Sequence, residues 1–268
     1  MLMKTNNFLV LLFLVFCGCA SDKMDDALLV SEYDLTISRE GCFPTVGDKY
    51  VYPIVPGMIE WMYATNEEIM QFCQLPEDVL KSISTPGLID ALIHIPFFPS
   101  QSNISSDASA LKWHYFYSLF NSAEELFQRT DAGDALVDYY RFVCLDCLVS
   151  DKRSEELKQR RPFEHYQIIV SQTLWGLECL FTKWEILNKM GHHQKKQAVA
   201  VILANYQYLK NDYSVFHLAY LMYSDKYEPV MEYARKHSNE FIPILNGFFY
   251  SKDQVDLFLS FAKQFIKN

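Results

Sequence analysis

Residues 163–187, FEHYQIIVSQTLWGLECLFTKWEIL, decide the fold class. Phe163, Tyr166, Val170, Leu174, Leu177, Phe181, Trp184 and Leu187 recur every three or four positions, the spacing that places side chains on one side of an α-helix. Ile168, Ile169 and Trp175 widen the stripe into the broad face of a central helix, with Gly176 as its weakest point.

The same period continues on both sides. Toward the C-terminus, Val199, Ile202, Leu203, Tyr206 and Leu209 share one side of a helix over 194–209. Further helices are predicted over 215–223, 229–236 and 253–267, the last capped by Ser251 and Gln254. Toward the N-terminus, Leu136, Tyr139, Tyr140, Val143 and Cys147 line a helix opened by Thr130, and Leu111, Trp113, Phe116, Tyr117 and Phe120 line another begun by Asp107. Ser122 with Glu125 and Thr65 with Glu68 have capping-box spacing, Pro76 fits a first helical turn, and Thr85-Pro86 opens a helix stopped by Pro96 and Pro99. Pro44, Pro53 and Pro56 with Gly47 and Gly57 predict an extended segment over 41–57. No stretch alternates with period two for long enough to build a sheet. The expectation is an all-α chain, a single domain of about nine or ten helices over 41–268.

The N-terminus is of another kind. Lys4 precedes Phe8–Phe16 (FLVLLFLVF), an apolar run too short to span a bilayer, and Cys17-Gly18-Cys19 follows. The arrangement resembles the lipobox of bacterial lipoproteins, which implies that residues 1–18 are a signal peptide and that Cys19 bears the lipid. A pocket that selects small residues accepts Gly18 before Cys19 and rejects Phe16 before Cys17. An ordinary signal peptide cleaved near Ala20 is the alternative. Residues 19–40 read as an acidic tether. Lys23-Met24-Asp25-Asp26 is similar to the acidic stretch of Bacteroides-group lipoproteins exported to the outer face of the outer membrane, and it reads equally as a solvated linker. The protein is therefore expected on the bacterial outer membrane, with its side left open.

Composition narrows the functional classes. Half of the residues are hydrophobic and the formal charge is −9, so a nucleic-acid surface is disfavoured. Beyond the lipid site five cysteines remain, Cys42, Cys73, Cys144, Cys147 and Cys179, and their odd number and irregular spacing argue against a dense disulfide framework.

Candidate chemistry is sparse. Cys144 and Cys147 have the gap of a metal or redox pair but lack a second pair of ligands, and buried helix cysteines are the preferred reading. His192-His193 reads as a solvated pair in a loop at Gly191. His94, His114, His165, His217 and His237 show no ligand spacing. Asp131, Asp134 and Asp138 share a helix side, where the early acids complement the helix dipole. No nucleophile elbow, phosphate loop or dinucleotide turn is present. Seventeen Tyr, 20 Phe and four Trp form the largest surplus. Most serve the core, and any exposed Tyr or Trp would suit a protein or glycan ligand.

Tyr52-Pro53, Pro56-Gly57 and Trp61, then Cys73-Gln-Leu-Pro-Glu77 with Ser84-Thr-Pro-Gly-Leu88, then Glu125-Leu-Phe127, Arg129 and Asp131-Ala-Gly133 resemble segments of uncharacterised secreted and lipid-anchored proteins of Bacteroides-type gut bacteria. The likeness spans roughly residues 50–140 and implies a helical envelope module with no functional residue assigned. The expected protein is a lipid-anchored envelope protein acting as a non-catalytic binding or interaction module, without catalytic residue, cofactor or metal. The alternative is an envelope hydrolase or lyase whose site is assembled from distant helices.

Overall fold

The computed structural model describes residues 43–96, 115–143, 174, 176–209, 212–245 and 251–268. The signal and tether, Cys19, Cys144, Cys147, His114, His165 and the 163–173 part of the long apolar stripe lie outside the described residues. Twelve helices have both ends within them: α1 (Ile59–Tyr63), α2 (Asn66–Phe72), α3 (Glu77–Ser82), α4 (Thr85–Ile93), α5 (Asn121–Gln128), α6 (Ala132–Phe142), α7 (Trp184–Leu187), α8 (His192–Leu209), α9 (Asp212–Ser224), α10 (Glu228–Lys236), α11 (Ser238–Ile244) and α12 (Lys252–Lys267); residues 115–117 and 176–181 are helical as well. The protein is all-α, in one multi-helix domain. Several helices are one or two turns long, which is why more are present than apolar periodicity can resolve.

Local chemistry sets the boundaries. Thr65 and Glu68 close a reciprocal capping box at the start of α2: the Thr65 side chain accepts from the Glu68 N–H, and the Glu68 carboxylate accepts from the Thr65 N–H at 2.8 Å. Ser84 caps α4, and Ser251 caps α12 by accepting from the Gln254 N–H. Ser122 departs from expectation. It lies inside α5, buried, and the N-cap position belongs to Phe120, which offers no side-chain cap.

Eight of the nine residues of α4 are buried, and α4 packs on α5 and α6 as one group. The second group is α8, α9 and α12, packed pairwise. Helix α6 lies against α8 and joins the two, and α7 touches α5 and α6. One apolar core runs through both groups, from Phe43 and Leu88 to Phe258 and Ile266. This continuity is what makes the two groups one domain.

From residue 176 onward the 163–187 stripe is not one continuous helix. Gly176 is helical, and the break comes at Lys183, whose extended backbone (ψ 126°) precedes the separate α7. Trp184 consequently faces solvent, away from the stripe it was assigned to. His192 and His193 also differ from expectation: they open α8 instead of sitting in a loop.

Candidate functional site

Glu178 sits within Leu177-Glu178-Cys179-Leu180-Phe181, all of them at most 2% exposed. The helical stretch 176–181 runs through the core and is apolar on every side except at this residue. Its carboxyl meets groups from other elements. Tyr140 of α6 donates to Glu178 Oε1 at 2.5 Å, and Ser214 of α9 donates to the same oxygen at 3.1 Å. His217, one turn further along α9, places Nε2 4.0 Å from Glu178 Oε2 and 3.8 Å from Cys179 Sγ, while its Nδ1 lies 3.4 Å from Thr182 Oγ1.

Burial dominates the electrostatics of this cluster. It pushes the Glu178 carboxyl up to about 7, against the hydrogen bonds from Tyr140 and Ser214 that favour the anion. Both of those donors reach Oε1, and Oε2 accepts no hydrogen bond among the described residues, so the proton of the neutral acid belongs on Oε2. Burial and the nearby Glu178 hold the Cys179 thiol well above its ordinary range, which suppresses the nucleophilic thiolate despite the adjacent imidazole. Tyr140 is raised in the same way, by burial and then by Glu178.

A second polar group lies at the end of α4. Buried Asp90 accepts from the Tyr139 hydroxyl at 2.9 Å, and His94 Nδ1 lies 2.7 Å from the Asp90 carbonyl and 3.4 Å from its carboxylate. The edge of Phe43 closes over His94, with ring centroids 4.6 Å apart. A third group reaches solvent through His192 alone, with Lys195 buried beneath it. His192 Nδ1 lies 2.5 Å from Asp225 Oδ2, and Lys195 Nζ is 3.8 Å from the other carboxylate oxygen and donates to the Ser224 carbonyl.

The residues singled out by sequence are dispersed. Asp131 accepts from Thr85, Asp134 from Gln194, and Asp138 pairs with Arg141, so three carboxylates on one helix serve three separate contacts. His237 stacks on Tyr233 at 4.7 Å. Cys73 and Cys179 are both buried. Among the described residues, no three His, Cys, Asp or Glu side chains are arranged to hold a metal ion. Glu178 stands outside the residues that spacing singles out, and the available signal is a lone carboxylate within Leu177-Glu178-Cys179-Leu180-Phe181.

No family model matches the chain, and no solved structure matches it. Among curated proteins it is similar to an aspartate-tRNA ligase of Mycoplasma capricolum subsp. capricolum, 24% identical over 149 residues, which cover 53% of this chain. The chain spans about a quarter of the length of that enzyme, and a likeness of this extent does not establish a family.

Proposed function

We propose that this chain is a lipid-anchored protein of the bacterial outer membrane whose helical domain is a non-catalytic binding or interaction module. One observation carries the binding reading: none of the five residues of α1 is buried, and Ile59, Met62 and Tyr63 expose a common apolar face. The anchoring reading is supported by Lys4, the apolar run Phe8–Phe16 and Gly18 before Cys19. The envelope reading is supported by the segments between residues 50 and 140 described above.

The test is acyl labelling of the full chain with detergent partition. Label and detergent-phase recovery are expected with Cys19, and both should disappear in Cys19→Ala. Retention of both by the variant would remove the anchor.

The second reading, an envelope hydrolase or lyase, is favoured by the convergence of Glu178, Tyr140, Ser214 and His217 from three elements. These groups would need to reach solvent to act, and Glu178 is 1% exposed. A screen of glycoside and ester substrates discriminates the two, since turnover abolished by Glu178→Gln would move the protein to the enzymes.

A further inference from the structure

We propose that the outer face of α1 rests on the lipid surface that carries the anchor, with Ile59, Met62 and Tyr63 lying in the interfacial region of a zwitterionic bilayer. Ile59 is 68% exposed, Met62 62% and Tyr63 85%. Positions i, i+3 and i+4 of a helix point the same way, so these three make one surface. Its counterpart is Trp61, partly buried against the core with its ring 6.4 Å from Phe72 of α2. A five-residue helix has no stability of its own in water. Trp61 therefore fixes α1, and the fixed helix holds an apolar face outward. Met58, at the N-cap, adds to the exposed apolar surface.

The bilayer is chosen as occupant from chain length and charge. Twenty-three residues lie between Cys19 and Phe43, a contour of at most about 80 Å, and α1 is the first helix of the described domain. An anchored chain thus holds this face at high effective concentration against its own membrane. Three apolar side chains are too few to hold a free domain on lipid, and enough to orient a tethered one. The charges beside the face are acidic: Glu60 on α1, and Glu67 and Glu68 in the first turn of α2, all exposed. They oppose an anionic surface, and tyrosine is a residue type that settles at the headgroup level of a bilayer.

This inference rests on the anchored reading, and the experiment separates the two. The full chain, made under acyl labelling, is reconstituted in phosphatidylethanolamine–phosphatidylcholine vesicles with a photoreactive benzophenone residue at position 62, 63 or, as control, 236 on α10, where Lys236 is exposed. The expected result is labelled protein with lipid adducts at 62 and 63 and their loss at 236. Labelled protein without lipid adducts at 62 and 63, or with adducts there to a second copy or to residues 1–42, overturns the docking face and leaves the anchor intact. Lipid adducts at 62 and 63 on unlabelled protein overturn the anchor while supporting the bilayer contact.

Discussion

The Tyr140 hydroxyl donates to Glu178 Oε1 at 2.5 Å with both side chains shut away from water. A buried carboxylate costs several kcal/mol unless it is paired, and a buried carboxylic acid costs far less. The folded protein therefore keeps a proton that the unfolded chain releases.

The first prediction is the resulting pH dependence. The Glu178 carboxyl rises from 4.5 to about 7 on folding, so between these values the native state binds more protons than the unfolded state. Stability from this group is fully present below about 4.5 and is lost as pH rises through about 7. The loss amounts to about 3 kcal/mol. Glu178→Gln keeps an acceptor for Tyr140 and Ser214 and carries no charge. Urea denaturation should find the variant close to the parent at pH 5 and more stable at pH 8, with a flatter profile between. Parallel profiles for the two proteins would show that Glu178 is not the titrating group.

Gly176 makes the second prediction. A Cβ built there would collide with the Tyr117 hydroxyl and stand 3.5 Å from Ile93 Cδ1. Tyr117 is fully buried and cannot swing into solvent. Gly176→Ala should therefore destabilise by about 1–3 kcal/mol, the usual cost of overpacking, despite the better helix propensity of alanine. Tyr117→Phe removes the clashing oxygen, so the double variant should be more stable than the two single losses predict. Additive losses in a denaturation cycle would place the strain elsewhere.

Much of the fold was legible because local rules act on local sequence. Thr65 with Glu68 and Ser251 with Gln254 cap helices where their spacing says they should, and Leu136, Tyr139, Tyr140 and Val143 are all buried as one stripe. The break at Lys183 was not legible, because its surroundings come from far away in the chain. Lys183 Nζ sits 5.0 Å from the centroid of the Phe127 ring, and Lys189 donates to the Phe127 and Arg129 carbonyls at the end of α5. Docking α7 on α5 thus accompanies an end to the preceding helix that the apolar period alone does not mark. The Glu178 cluster was hidden for the same reason. Periodicity shows which side of a helix turns inward, and which polar groups meet there depends on helices α6 and α9.

The third prediction concerns the turn after α9. Lys226 has φ 57°, and the Tyr227 N–H donates to the Met222 carbonyl while the Lys226 N–H donates to the Tyr223 carbonyl. These are the two bonds of a helix end that requires a left-handed residue, the place glycine usually occupies. A residue with a Cβ costs about 1 kcal/mol there. Lys226→Gly should raise stability by up to that amount, read as a higher denaturation midpoint with unchanged slope. A lower midpoint would mean that the lysine side chain contributes more than its backbone costs.

The last prediction is the clamp between Asn121 and the α2–α3 connection. Asn121 Oδ1 accepts from the Leu75 N–H at 3.0 Å, and Asn121 Nδ2 donates to the Leu75 carbonyl at 2.8 Å. Gln74 answers in kind, its Oε1 accepting from the Asn121 N–H and its Nε2 donating to the Leu119 carbonyl. Two side-chain amides thus imitate a pair of strands between segments 46 residues apart. Leu75 is buried, so its backbone groups have little water to turn to. Asn121→Ala should cost about 1–3 kcal/mol, the range for leaving buried polar groups unmatched. Asn121→Asp is the more telling variant. It preserves an acceptor for the Leu75 N–H and sets a second carboxylate oxygen against the Leu75 carbonyl, so it should recover little of the loss at neutral pH and more of it in acid. Amide exchange at Leu75 supplies a local check, since protection of that N–H should fall further in Asn121→Ala, which removes its acceptor, than in Asn121→Asp, which keeps one. An Asp variant as stable as the parent at neutral pH would show that the donor half of the clamp contributes nothing.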